Sequence, residues 1–356
     1  VEGQDMRSSW SVSGDEKDNV TLKTAAQEAF GGAALAEGLE EKQPGVLLRF
    51  AEGCTLLDNH TIVNLGQYDE DNWEEINDKL LSEAEECAKW ADVVVLALGE
   101  HRFQTGEATS RTQIELPHIQ LELLKRVASV NKSIVTVLFN GRPLDLREVS
   151  KYSKAVVEAW MPGTEGGHGI MDVLTGEYNP SGKLPMSFPY NVGQLPMCYN
   201  HYSSGRPKPE GSRGDYNCRY LDAPNEPLYP FGYGLSYTSF EIGSVNLSSD
   251  SMMSGEKITA SVTVKNTGKI KGSELIQLYI RDVSASRVRP IKELKGFKHI
   301  ELMPGEEKKV SFDIDEEQLS FFRADGSFGS EPGKFRVWIA DSSLTEGAAA
   351  EFVLCE

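Results

Sequence analysis

Ala91-Asp92-Val93-Val94-Val95-Leu96-Ala97-Leu98-Gly99 is a short and almost unbroken apolar run in the first half of the chain. Runs of this kind are typical of a central parallel strand that is covered on both faces. Residues 73–90 precede it with the pattern of an amphipathic helix, and residues 117–130 follow it with a second such pattern. The apolar positions predicted to face inward are Ile76, Leu80, Leu81, Ala84 and Ala88 in the first helix and Ile119, Leu123, Leu124 and Val127 in the second.

Two further apolar runs, residues 133–140 and 154–160, predict the next buried strands, and residues 47–51 predict an earlier strand of the same sheet. Strands that alternate with helices form a parallel sheet layered by helices, so we expect an α/β sandwich with a mainly parallel sheet. Ligands of such sheets collect at the loops that leave the carboxyl ends of the strands. The loops in question begin at Gly99, Asn140 and Met161.

Beyond Ser236 the pattern changes to short alternating strands separated by turn residues such as Asn266-Thr267-Gly268 and Pro304-Gly305. Regular short strands of this kind predict an antiparallel β-sandwich. The stretch before it, residues 198–230, is rich in Pro, Gly, Ser, Asn and Tyr, which indicates a loop or linker. The strands are predicted at residues 258–264, 275–280, 310–314 and 334–340.

These patterns predict three parts: an α/β sandwich over residues 1–197, a linker over residues 198–236 and an all-β domain over residues 237–356. A length of 356 residues fits two domains of ordinary size. No apolar run approaches the roughly 18 residues of a membrane span. The net charge of −18 argues against nucleic acid and anionic membranes as partners.

The cysteines and glycines indicate no metal and no cofactor. The five cysteines form no Cys-x-x-Cys pair, which predicts free thiols and no structural zinc, with a disulfide between Cys198 and Cys218 as the alternative. The glycine-rich residues 163–167 match no phosphate-binding pattern and include Glu165, whose charge would repel phosphate. We therefore expect a helix-opening turn there, and a structural role for the nearby His168.

The loop after the first buried strand, residues 99–111, carries the residues best suited to chemistry. It mixes carboxylates with Arg and His at the carboxyl end of a strand, where a carboxyl group can act as a general acid. The alternative is a solvated loop with a surface Glu–Arg pair, which is the commoner reason for such a composition.

Thr105-Gly106-Glu107-Ala108-Thr109-Ser110-Arg111 resembles a loop of the family 3 glycoside hydrolases, the β-glucosidase family. The resemblance covers essentially the whole chain and is greatest to the bacterial periplasmic type. It implies an α/β sandwich followed by a fibronectin type III-like, immunoglobulin-like sandwich. The other stretches that carry it are residues 5–11, 114–120, 139–143, 160–167, 179–189 and 229–238.

In that family a (β/α)8 barrel precedes these two domains and supplies an Asp nucleophile and most sugar-binding residues. No such barrel is present here, and the chain starts at Val1 without an initiator Met or a signal peptide. The resemblance therefore implies the C-terminal portion of a retaining β-glucosidase, inactive by itself, whose partners are a β-glucoside or oligosaccharide and the barrel domain. A homodimer and the compartment, periplasmic or secreted or cytoplasmic, stay open.

The same resemblance implies roles for five residues of the loop. A retaining glycosidase needs a nucleophile about 5 Å from an acid/base; Glu107 is the candidate acid/base and Glu100 the second choice. Arg111 would orient Glu107 or contact a sugar hydroxyl, or else form a salt bridge that stabilises the loop. His101 and Phe103 would line the rim of the sugar site or pack the loop. The alternative for the whole chain is a non-catalytic carbohydrate-binding or domain-assembly module.

Overall fold

The computed structural model describes Met6, Arg7, Ser11 and residues 14–30, 40–41, 46–59, 72–207, 216–344 and 349–356. The chain divides into two compact units by packing. The first consists of Val1–Tyr178 with Tyr190–Gly193, and the second of Asn179–Pro189 with Gln194–Glu356. This division follows contacts alone, so the boundaries drawn from the sequence at residues 197 and 236 stay predictions.

The first unit has a parallel sheet with helices before and after each strand, as predicted. The elements are α1 (Leu22–Phe30), β1 (Glu40–Glu41), β2 (Leu47–Leu48), α2 (Trp73–Trp90), β3 (Val94–Gly99), α3 (His118–Val130), β4 (Ile134–Phe139), α4 (Arg147–Tyr152), β5 (Ala155–Glu158) and α5 (Gly166–Thr175). The three parallel strands run in the order β3-β4-β5, with Val94 opposite Ile134 and Val135 opposite Ala155.

Two expectations about the strands of this unit were wrong. Leu47 and Leu48 do not extend the parallel sheet but pair antiparallel with β1. β3 was expected to be central, yet within the described residues it pairs only with β4. Val93 and Val95 are accordingly 58% and 44% exposed. The strand buried on both faces is β4, because it has a parallel neighbour on each side.

The helices agree with the predicted patterns except at one position. In α3 all four predicted inward residues are buried. In α2 Leu81, Ala84 and Ala88 are buried and Leu80 is half-buried, but Ile76 is 39% exposed and Asn77 is buried in its place. The Asn77 amide accepts a hydrogen bond from the Thr55 backbone N–H at 2.9 Å and donates one to the Trp73 carbonyl at 2.9 Å. Burial of an amide costs little free energy when its hydrogen bonds are satisfied, so the buried face of α2 includes Asn77 and not Ile76.

The second unit is a β-sandwich, as predicted. Its elements are β6 (Phe240–Ile242), β7 (Asn246–Leu247), β8 (Ser251–Met252), β9 (Lys257–Asn266), β10 (Gly272–Asp282), β11 (Glu293–Leu302), β12 (Glu307–Asp315), α6 (Glu316–Leu319), β13 (Phe321–Phe322), β14 (Phe328–Gly329), β15 (Gly333–Ala340) and β16 (Ala350–Leu354). One sheet has the order β11-β10-β15-β16-β8 and the other β12-β9-β6, with β7 also paired to β9. The strand pairs of these sheets are antiparallel except β16 with β8, which are parallel.

Alternating side chains of the two sheets form one hydrophobic core. In β9 every second residue from Ile258 to Val264 is buried in it, and β10 and β12 contribute in the same way. A period of two is what a strand with one covered face requires. Each fully buried aliphatic side chain contributes roughly 1.5–3 kcal/mol, so this core is the main source of stability of the unit.

Neither a disulfide nor a membrane helix appears in the described part of the chain. Cys198 and Cys218, for which a disulfide was the alternative, are both exposed free thiols, and Cys54, Cys87 and Cys355 are free as well. Within the ranges given above, no helix combines the length and the apolar composition that crossing a bilayer requires.

Candidate functional site

An open cavity of about 770 Å³ lies at the carboxyl ends of β3, β4 and β5. The loop after each of the three strands contributes to its wall. These are the loops singled out from the sequence, so their convergence at one sheet edge is confirmed. The lining residues are Thr105, Gly106, Glu107, Asn140, Gly141, Trp160 and Met161.

Glu107 lies on a tight turn at the cavity wall and is exposed. The residues on either side of it, Gly106 with φ +121° and Ala108 with φ +57°, are both left-handed. The Thr109 hydroxyl donates to the Gly106 carbonyl at 2.6 Å and so closes the turn. A left-handed alanine costs roughly 1–2 kcal/mol, so this backbone persists only because the surrounding contacts hold it.

Glu100 is in the opposite environment, with none of its surface exposed. Its Oε1 lies 2.6 Å from Arg111 Nη1 and 3.1 Å from Arg142 Nε. Its Oε2 accepts a hydrogen bond from the Gly141 backbone N–H at 3.1 Å. Both oxygens are therefore engaged, and two cations compensate the charge of this buried carboxylate.

The other loop residues named from the sequence make contacts within the loop or beside it. Arg111 joins Glu100 to the Glu115 carbonyl, to which it donates at 2.8 Å. His101 is buried, and its Nδ1 accepts the Phe103 backbone N–H at 3.2 Å. Phe103 is 43% exposed, with its ring centre 5.3 Å from that of His101. Arg111 thus forms the salt bridge that was one of the three roles expected for it.

Sequence reasoning did not identify Glu158, the last residue of β5. Its Oε1 accepts the Trp160 backbone N–H at 3.0 Å, and its Oε2 lies 3.4 Å from Asn140 Nδ2. Burial raises the pKa of the Glu158 carboxyl to about 8, and the charge of Glu100 adds to the increase, although the two hydrogen bonds oppose it. A carboxyl group inside an apolar strand pattern was the signal available in the sequence.

Glu158 also supports the cavity wall through Trp160. Trp160 has a left-handed backbone with φ +53°, which is rare for a bulky residue. Two hydrogen bonds hold that conformation: the Trp160 N–H donates to Glu158, and the Asn140 N–H donates to the Trp160 carbonyl at 3.3 Å.

The described residues contain no group of three or more His, Cys, Asp or Glu arranged to hold a metal ion.

Comparison with family models gives two matches. Residues 3–237 match the glycosyl hydrolase family 3 C-terminal domain. Residues 274–343 match the fibronectin type III-like domain. The first match includes every residue of the cavity and covers more than half of the chain.

Individual relatives agree with the family models. The chain is 44% identical over 356 residues to a periplasmic β-glucosidase of Salmonella typhimurium, covering 98% of this chain and 45% of that protein. It is 40% identical over 265 residues to a β-xylosidase of Formosa agariphila, covering 74% of this chain and 36% of that protein.

A solved structure shows the same fold. The β-glucosidase of Listeria innocua in complex with glucose superimposes with a TM-score of 0.84 at 38% identity, over 99% of this chain and 44% of that protein. The chain thus spans between 36% and 45% of the length of these relatives, which are glycoside hydrolases by name. The matched residues, from the cavity loops to the β-sandwich, show that the chain belongs to family 3 of the glycoside hydrolases and carries its C-terminal and fibronectin type III-like domains.

Proposed function

We propose that this chain provides the general acid/base, Glu107, of a retaining β-glucosidase whose nucleophile lies outside the chain, in an N-terminal barrel domain. A retaining glycosidase uses two carboxyl groups about 5 Å apart, one as nucleophile and one to protonate the leaving oxygen and then activate water. The chain spans about 45% of the Salmonella relative, which leaves room for such a domain in the whole enzyme.

The observation that carries this proposal is the contrast between Glu107 and Glu100. A general acid must come within hydrogen-bond reach of the leaving oxygen. Glu107 is exposed at a cavity open to a substrate, whereas Glu100 is fully buried with both oxygens engaged. Moving Glu100 to a substrate would leave two arginines without their anion, so we assign the proton transfer to Glu107 and a structural task to Glu100.

We further propose β-linked glucosides, as single aryl glucosides or short oligosaccharides, as the substrates. The Listeria β-glucosidase was solved with glucose, and a mutant of it with laminaribiose. We place the enzyme in the periplasm, after the name of the Salmonella relative. A homodimer, which the sequence left open, can be tested by sedimentation of the full-length enzyme.

The test is Glu107→Ala in the full-length enzyme. Loss of a general acid costs roughly 10²- to 10⁴-fold where the leaving group needs a proton. We expect kcat/KM to fall by that factor on phenyl β-glucoside and much less on a dinitrophenyl glucoside, whose leaving group departs unprotonated, while kcat falls on both because water is no longer activated. Added azide should restore turnover of the activated substrate, because a small anion can replace water once the carboxylate is removed.

Glu75→Ala is the matched control, since Glu75 is an exposed glutamate in the first turn of α2. It should leave both substrates unaffected. Equal losses on phenyl and dinitrophenyl glucosides in Glu107→Ala, without azide rescue, would remove Glu107 from the role. Activity retained on both substrates would do the same.

A further inference from the structure

We infer that Arg142 is a positioning residue for Glu107: its guanidinium ties both ends of the turn that carries Glu107 to the buried Glu100. This inference rests on the proposed function, because it gives Arg142 a task in proton transfer. Arg142 follows β4, on a different loop from Glu107. It was not among the candidate site residues.

The first step is the contact of Arg142 with the turn. Arg142 Nη2 donates to the carbonyls of Gln104 and Thr109, the second at 3.2 Å. These two carbonyls lie on opposite sides of Glu107 in the chain. Because the guanidinium is planar and rigid, one nitrogen that binds both carbonyls fixes the width of the turn at its base.

The second step is the contact of Arg142 with the buried Glu100. Arg142 Nε lies 3.1 Å from Glu100 Oε1, close enough for a strong charge interaction although its N–H is not aligned for a hydrogen bond. Glu100 is itself fixed by Arg111 and by the Gly141 backbone N–H. Through Glu100, Arg142 therefore links the turn to the ends of β3 and β4, which the parallel sheet holds in register.

The third step is the reason why the turn around Glu107 needs its contacts with Arg142. The turn contains two left-handed residues, Gly106 and Ala108, and its internal closure is the hydrogen bond from Thr109 to Gly106. A strained turn without outside contacts relaxes to other backbone conformations. A displacement of about 1 Å of a catalytic group can cost on the order of 10²-fold in rate. Removal of the Arg142 side chain should therefore lower the rate of the reaction, because Glu107 would be displaced.

The experiment is a double-mutant cycle in the full-length enzyme with Arg142→Ala, Glu107→Gln and the double variant. Arg142→Ala leaves Arg111 paired with Glu100, so the buried carboxylate keeps one cation. Arg142→Lys is the second variant, which keeps the charge but has a single nitrogen, so it cannot contact the two carbonyls and Glu100 through separate nitrogens as Nη2 and Nε do. Arg126→Ala is the control, an arginine of α3 that pairs with Glu122 on the surface. Folding of each variant is measured by thermal denaturation.

We expect Arg142→Ala to lower kcat/KM on phenyl β-glucoside roughly 10- to 100-fold more than on the dinitrophenyl substrate. Arg142→Lys should show a smaller loss with the same preference. In the double variant the phenyl-glucoside loss should equal that of Glu107→Gln alone, because a positioning residue has no effect once the group it positions is gone.

Two results would overturn the inference. Additive losses in the double variant would show that Arg142 acts independently of Glu107. Equal losses of Arg142→Ala on both substrates, tracking the folded fraction, would reduce Arg142 to a stabilising residue. If Glu107→Gln itself shows no preference between the substrates, the proposed function fails instead, so the two failures are distinguishable.

Discussion

Glu158→Gln should change the way in which the stability of the first unit depends on pH. Burial raises the pKa of Glu158 from 4.5 to about 8 in the folded protein. Between these values the folded state retains a proton that the unfolded state has released. The free energy of unfolding therefore falls as the pH rises through this window and levels off above about pH 8. Glutamine, which carries no titratable proton, removes this dependence.

The magnitude follows from the shift. At about 1.4 kcal/mol per pKa unit, an increase from 4.5 to about 8 corresponds to roughly 4–5 kcal/mol between the two ends of the window. The glutamine oxygen can still accept the Trp160 N–H, but its NH₂ would face Asn140 Nδ2, now 3.4 Å from Glu158 Oε2. A donor facing a donor costs about 1 kcal/mol. The variant should thus be slightly less stable near pH 5 and several kcal/mol more stable near pH 9.

The assay is urea unfolding of the purified chain from about pH 5 to about pH 9, followed by the helical circular dichroism signal to which the longer helices of the first unit contribute most. The quantity of interest is the difference between variant and parent, in which the contributions of groups far from Glu158 cancel. Glu75→Gln, at an exposed glutamate of α2, is the control for the change from a carboxyl to an amide group. A constant difference for Glu158→Gln across the range would refute the reasoning, since it would mean that Glu158 titrates alike in the folded and unfolded states.

Two further predictions concern contacts elsewhere in the first unit. Gly141→Ala should destabilise the chain by about 1–3 kcal/mol in urea unfolding and lower the activity of the full-length enzyme, because the new methyl group would lie 2.6 Å from Thr105 Oγ1; stability and activity equal to the parent would contradict the close approach. The imidazole of His168 forms hydrogen bonds to the carboxylates of Glu28 and Glu165, which raise the pKa of His168. These bonds therefore stabilise the folded chain at low pH, and this contribution is lost as the pH rises through the raised value. His168→Gln should therefore lower Tm below about pH 6 and leave it unchanged near pH 9; an equal decrease at both would contradict this.

Local periodicity was sufficient for the elements because side chains near in sequence share a face of a helix or strand. The helix at residues 73–90 and the strands from 257 to 340 agree with their patterns for this reason. Periodicity predicted the wrong buried residue where a residue distant in sequence provides a hydrogen-bond partner. Ile76 is exposed because Thr55 provides a hydrogen bond to Asn77.

The sequence by itself determined that the chain has an α/β part and a β-sandwich, and its motifs indicated family 3 and the loop of residues 99–111. It could not separate Glu100 from Glu107, since each follows a glycine in the same loop. Only the tertiary structure decided that Glu100 is buried and paired with Arg111 and Arg142, while Glu107 lines the cavity. The physical reason is that desolvation and charge pairing depend on groups from neighbouring strands, which the order of residues along one loop does not specify.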